Sequence, residues 1–272
     1  MSVLAARRSL RYTCVKTPNQ DPSMHHRAAA RLIMSLVLAG LLIPVSACAD
    51  FTTAAPDACA SNLDSPIQNF CQVKPGTLWR GAKPDPAGAA WLIRHNVGTI
   101  VNLELLHDDR DTLTSVHLEE QADDRATLQD TRLPTPEPHE IHYYRVRDWE
   151  PLVVVASWLT DERVATFLAV MAQAPRPVYV HCRSGQNRTG VMVAAYRVIQ
   201  DSDGGTEAIE KAVAEMQGYR GVWFDADAAY IRSLTPERQQ AIRDRVQQLL
   251  PDITRQREAL IRCQDGRCQV QE

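Results

Sequence analysis

The sequence predicts an α/β domain: a central, mostly parallel sheet of about four to five strands flanked by helices, with a tight anion-binding loop between one strand and the helix after it. Three observations carry this expectation. Short β-branched runs alternate with longer segments of helical period between residues 77 and 250. The run Val178-Tyr179-Val180 enters a stretch of small and polar residues, after which a helix-like segment runs from Gly190. A stretch of about 175 residues is enough for one well-buried core.

Residues 1–48 read as a leader. Arg27 and Arg31 precede a mostly apolar run from Leu32 to Val45, followed by Ser46-Ala47-Cys48-Ala49-Asp50, which is the pattern of a secretory signal. At about 14 residues the run is shorter than the roughly 20 that a membrane-spanning helix needs. Val45-Ser46-Ala47-Cys48 resembles a bacterial lipobox, with Cys48 as the lipidated first residue of the mature chain. Ala47-Cys48-Ala49 is the competing site for ordinary signal peptidase, and Met24 offers a second start. The expected location is therefore outside the cytosol, periplasmic or as a membrane-anchored lipoprotein, with the N-terminal lipid as the one membrane contact.

Residues 49–76, rich in Ala, Asp and Pro, read as a tether or N-terminal extension. The domain proper is expected over 77–250. Its strand-like runs are Thr77–Arg80, Thr99–Leu105, Ile141–Val146 and Pro177–Val180. Its helix-like runs are Pro86–His95, Asp161–Ala174, Gly190–Gln200, Thr206–Gln217 and Pro236–Leu250, with Asp161 read as a helix cap. Between Asp108 and His139 lies a polar, Pro-broken insertion, whose charges from Glu119 to Arg125 read as a solvated helix face. Residues 251–272 read as a C-terminal tail.

Seven cysteines are present. Cys14 and Cys48 fall in the leader and Cys182 in the loop, leaving Cys59, Cys71, Cys263 and Cys268 as disulfide candidates in an exported chain. The Asp265-Gly266 turn favours pairing Cys263 with Cys268, which would leave Cys59 for Cys71; the other connectivities stay open. No His or Cys cluster has ligand spacing, so no metal is expected, and no cofactor. With 30 basic and 33 acidic residues and a net charge of −3, the chain shows no basic run that would suit nucleic acid.

The chemistry concentrates in His181-Cys182-Arg183-Ser184-Gly185-Gln186-Asn187-Arg188-Thr189-Gly190. Strand, tight loop and helix bring backbone N–H groups and a helix N-terminus to one point, a ready anion site. Cys182 at its edge lies in that positive potential, which favours the thiolate. Arg188 can return over the same point and hold two phosphate oxygens with its planar fork. Gly185 and Gly190 let the backbone approach closely. Thr189 brings a hydroxyl to stabilise the departing thiolate, and His181 supports the loop from the strand end. Arg183, Ser184, Gln186 and Asn187 line the loop through their backbones, with side chains at the rim.

Phosphoryl transfer to sulfur also needs an acid for the leaving oxygen and a base for water, roles one carboxyl can fill in turn. Asp148 is the choice, since it follows the strand-like run Ile141–Val146 and opens a Trp-Glu-Pro turn; Glu150 is the substitute. Arg80 and Lys83 either help to bind an anion or belong to a solvated loop. The tryptophans read as packing residues, and Trp149 as an anchor for a mobile loop.

Residues 181–190 resemble the signature loop of the protein-tyrosine-phosphatase superfamily, in the form used by its dual-specificity branch. Leu78-Trp79-Arg80-Gly81-Ala82-Lys83-Pro84, Gly98-Thr99-Ile100-Val101-Asn102-Leu103, Tyr196-Arg197 and Ala208 through Met216 extend the resemblance to the compact bacterial, plant and fungal members. The distance of Asp148 upstream of Cys182 is also of the kind that family shows. Lys83 and Glu104 stand where that group often has Gln and Arg, and Arg183 is the one extra basic residue inside the loop, which disfavours highly phosphorylated inositols.

The resemblance implies a phosphatase-type P-loop and a cysteine-dependent phosphatase acting on phosphorylated proteins or small phosphate esters. Phosphotyrosine, with phosphoserine and phosphothreonine, is the first substrate class; phosphoinositides or inositol phosphates are the alternative. A sulfurtransferase leaves Arg188-Thr189-Gly190 and the acid unexplained. A non-catalytic phosphate-binding module leaves the nucleophile unexplained.

Overall fold

The computed structural model describes Cys59, residues 63–116 and residues 138–271. The leader with Cys48, most of the tether and the charge run from Glu119 to Arg125 lie outside these residues. Among the described residues the chain builds a seven-stranded sheet: β1 (Cys71–Lys74), β2 (Leu78–Ala82), β3 (Thr99–Glu104), β4 (His139–Asp148), β5 (Val178–Cys182), β6 (Ala259–Gln264) and β7 (Arg267–Gln271), in spatial order β1-β2-β5-β3-β4-β6-β7. The four middle strands, β2, β5, β3 and β4, run parallel, while β1, β6 and β7 join antiparallel at the edges.

β5 is buried along its whole length because parallel neighbours flank it on both sides, which is why Val178-Tyr179-Val180 reads as continuous rather than alternating. Helices cover both faces. On one face lie α4 (Ser157–Gln173), α5 (Asn187–Ile199), α6 (Thr206–Gln217), α7 (Phe224–Arg232) and α8 (Pro236–Leu249), packed with Val101, Leu103, Val178 and Val180. On the other, α1 (Pro86–Arg94) and α2 (Arg110–Thr114) pack with Trp79, Ile100, Ile141 and Tyr179. One turn, α3 (Leu152–Val155), precedes α4.

Local chemistry sets the helix starts. Asp85 caps α1 by accepting from the Gly88 N–H at 2.7 Å, with Pro86 in the first turn, and Thr235 with Pro236 does the same for α8. Asp161 does not cap. α4 begins four residues earlier at Ser157, and the Asp161 carboxylate instead accepts from Tyr230 Oη at 2.8 Å and from Arg238 Nε at 3.0 Å, tying α4 to α7 and α8.

Two further expectations change. Residues 251–272 are not a tail: a 3-10 turn (Leu250–Gln256) leads to β6, whose Ala259, Ile261 and Cys263 are buried while Arg262 and Gln264 face out, and β7 returns through Asp265 (φ 50°) and Gly266 (φ 71°). Residues 49–76 are not wholly a tether, since Ile67 and Phe70 are buried and β1 pairs with β2.

Candidate active site

β5 carries Cys182 to the carboxyl end of the sheet, where the chain turns through 183–186 and re-enters α5 at Asn187. The turn needs Gly185: its φ is +71°, and a Cβ there would overlap the Gly81 backbone. Cys182 is buried and is the free cysteine among the described residues; Cys59 is joined to Cys71, and Cys263 to Cys268.

Arg188, in the first turn of α5, links three segments. Its Nε donates to Glu150 Oε1 at 3.1 Å, and its Nη1 to the carbonyls of Leu103 at 3.3 Å and Asp148 at 3.4 Å. Glu150 is therefore the ion-pair partner of the Arg188 guanidinium.

Asp148 ends β4 beside Glu104 and is only 4% exposed. Burial pushes its carboxyl up to about 6, against the pull of the Arg188 and Arg163 charges. Its Oδ1 is buried and makes no hydrogen bond to the protein, so it is available to a substrate oxygen. A carboxyl in this range holds a proton near neutrality and can also release one.

His181 is fully buried, and its Nε2 lies 2.9 Å from Asp109 Oδ2. Burial alone would raise Asp109, but its contacts with His181, His107 and Tyr143 hold it below the usual carboxylate range. Asn102 donates to Tyr143 Oη at 3.0 Å and completes the network. Sequence reasoning missed Asp109, because it lies in the aperiodic polar stretch after β3; a buried His in the loop, with its need for a partner, is the one signal that pointed there.

The other predicted residues separate. Thr189 is fully buried and its Oγ1 makes no hydrogen bond to the protein. Gln186 lies at the rim, donating to the Arg220 carbonyl at 3.2 Å, and Arg183 is exposed. Asn187 is not a rim residue: it is buried and donates to Asp227 Oδ2 at 2.9 Å. Lys83 is exposed, whereas Arg80 is fully buried in β2, not in a solvated loop, and its Nη2 donates to the Gly185 carbonyl at 2.6 Å. Trp79 and Trp91 are core residues, but Trp149 and Trp158 are 52% and 66% exposed, so neither is the buried packing residue expected.

A buried thiol, a guanidinium held by three hydrogen bonds and a buried carboxyl raised to about 6 are groups that phosphoryl transfer to sulfur can use. A profile of the family described as "DSP-PTPase phosphatase fused to NAD+ Kinase" matches residues 64–222. The chain is 33% identical over 220 residues, 77% of its length and 83% of the relative's, to the dual specificity protein phosphatase TpbA of Pseudomonas aeruginosa strain UCBPP-PA14. A crystal structure of P. aeruginosa TpbA is similar at 24% identity, covering 71% of this chain and 98% of that one, with a TM-score of 0.49.

Proposed function

Since the chain belongs to the DSP-PTPase family of cysteine-dependent phosphatases, we propose that it hydrolyses phosphotyrosine, and with it phosphoserine and phosphothreonine, with Cys182, Arg188 and Asp148 as the working residues. The Cys182 thiolate attacks phosphorus; an S–P bond forms as the ester P–O bond breaks, and Asp148 gives its proton to the leaving oxygen. The resulting carboxylate takes a proton from water, whose oxygen attacks phosphorus. The S–P bond then breaks, releasing inorganic phosphate and the thiolate. Arg188 and the loop amides offset the charge on the equatorial oxygens throughout.

The observation that carries this reading is the buried Asp148 carboxyl, raised to about 6, on a residue whose main-chain carbonyl accepts from Arg188 Nη1. Asp227 is raised as far, but its Oδ2 is taken by Asn187, whereas Asp148 Oδ1 has no partner in the protein and is free to meet a substrate oxygen. The protein-phosphatase relatives favour a protein substrate, and the exposed Trp149 next to the acid, with Leu105 and Leu106 after β3, offers apolar surface to a phenyl ring. Para-nitrophenyl phosphate should be turned over, Cys182→Ser should abolish the reaction and a chelator should leave it intact. Activity surviving in the Ser variant, or lost to the chelator, would overturn this mechanism.

The leader supports a second proposal, that the chain is exported and lipidated at Cys48. Labelling with radioactive palmitate in a bacterial host should vanish in Cys48→Ala. An unlabelled parent chain would instead favour cleavage at Ala47-Cys48-Ala49.

A further inference from the structure

Three successive carbonyls of the phosphate loop are bound from outside it. The Arg183 carbonyl accepts from the Lys83 N–H at 3.3 Å, that of Ser184 from the Asn69 side-chain amide at 2.8 Å, and that of Gly185 from Arg80 Nη2 at 2.6 Å. In a planar trans peptide the N–H of the next residue points opposite to the carbonyl. Drawing these carbonyls outward therefore turns the N–H groups of Ser184, Gly185 and Gln186 to the other side, towards the point that Cys182 and Arg188 share.

We infer that Asn69 and Arg80 are positioning residues that set the aim of the loop amides and so its affinity for a phosphoryl group. Neither touches the reacting atoms. The backbone donor at Lys83 is fixed by the chain path, so the two side chains are the adjustable part.

Both are built for the task. Arg80 is fully buried at the centre of β2, its guanidinium 3.8 Å from the centre of the Tyr219 ring, which keeps the planar fork from rotating. Glu215, 7% exposed and joined to Arg197 Nε at 3.1 Å, supplies the opposing charge on the same side. Asn69 stands at φ +55°, a conformation that Asn and Gly tolerate and most residues do not. It lies between the paired cysteines Cys59 and Cys71 and next to the buried Phe70, so its segment is held against β2 rather than left to wander. The N-terminal extension thus becomes part of the anion site, 115 residues from the carbonyl it binds.

The test uses Asn69→Gly, which removes the amide and keeps the positive φ accessible, and Arg80→Lys, which keeps the charge and removes the fork. The inference rests on the phosphate-site reading, so each is made in the active enzyme and in the Cys182→Ser chain. Tungstate binding to the Cys182→Ser chain is followed by calorimetry, which needs no turnover. Asn69→Gly should weaken tungstate about five- to tenfold, the worth of one buried hydrogen bond. It should raise KM for para-nitrophenyl phosphate by a like factor with kcat changed far less, since ground and transition states lose the same contact.

Arg80→Lys should do more, and if that variant does not fold, Asn69→Gly decides alone. A merely structural role would lower the melting temperature and leave tungstate affinity at 25 °C within twofold of the parent, and that result overturns the inference. Weakened tungstate in a chain with no phosphatase activity would sink the proposed function and leave this inference standing.

Discussion

Asp148 shows how one position serves chemistry at the expense of the fold. Its place at the end of β4 strips it of water, and a carboxyl raised to about 6 is protonated over much of the range in which the enzyme would act as an acid. As the pH rises through that value the proton is lost, so kcat/KM on alkyl phosphates or phosphotyrosine should fall along a basic limb near pH 6. In Asp148→Asn that limb should vanish, with turnover of poor leaving groups down about 10²–10⁴-fold and activated aryl phosphates much less affected. Equal losses on both substrate types would move the acid elsewhere. The places of Cys182, Arg188 and Asp148 were legible in the sequence because each belongs to a local pattern: a strand end, a helix start, a turn. Asp109, Asn69 and the true role of Arg80 were not, because their partners lie far along the chain and only the sheet brings them together.

The parallel strands and five of the helices follow from hydrophobic period alone, and their ends differ from expectation by a few residues at most sites. The larger departures share one cause. β4 starts at His139 and β6 and β7 follow residue 258, where from Ile261 on apolar residues alternate with polar or charged ones. Such alternation is the mark of antiparallel strands with one face in the core, yet over five or six residues it is easily taken for an irregular segment. In β6 the signal was present in Ala259, Ile261 and Cys263, and the Asp265-Gly266 turn already implied a return strand. α4 begins at Ser157 instead of Asp161 because tertiary partners, Tyr230 and Arg238, claim the Asp161 carboxylate that a cap would have used. Likewise α5 takes in Asn187, since Asp227 satisfies a side chain that the sequence left to solvent.

For the molecule as a whole, two groups of carboxylates pull stability in opposite directions with pH. Asp148 and Asp227 are both raised to about 6, burial being the main cause, from an ordinary value of 3.8. A carboxyl so raised contributes stability that is fully present below its unfolded value and is lost as pH climbs through the folded one. Asp108, Asp109 and Asp201 are held below 3.8 by Arg110, His181 and Lys74 despite burial, and their contribution is lost as pH falls. Stability should therefore be highest near pH 4, fall between about pH 4 and 6 by on the order of 2 kcal/mol for each raised group as those groups lose their advantage, and level off above about pH 7. Melting followed from about pH 4 to 7 checks this, and Asp148→Asn should flatten part of the decline; a melting temperature that climbs over this range would contradict it. The order of the strands also bears on how the protein is made. β4 meets β3 on one side and β6 on the other, and β6 and β7 come after the phosphate loop in the chain. Until they dock, the outer edge of β4 offers a row of unpaired backbone groups to any passing strand. A nascent or truncated chain that already holds the loop after Cys182 but lacks β6 and β7 is thus still open to aggregation, and residues 259–271 are what cover that edge of the sheet.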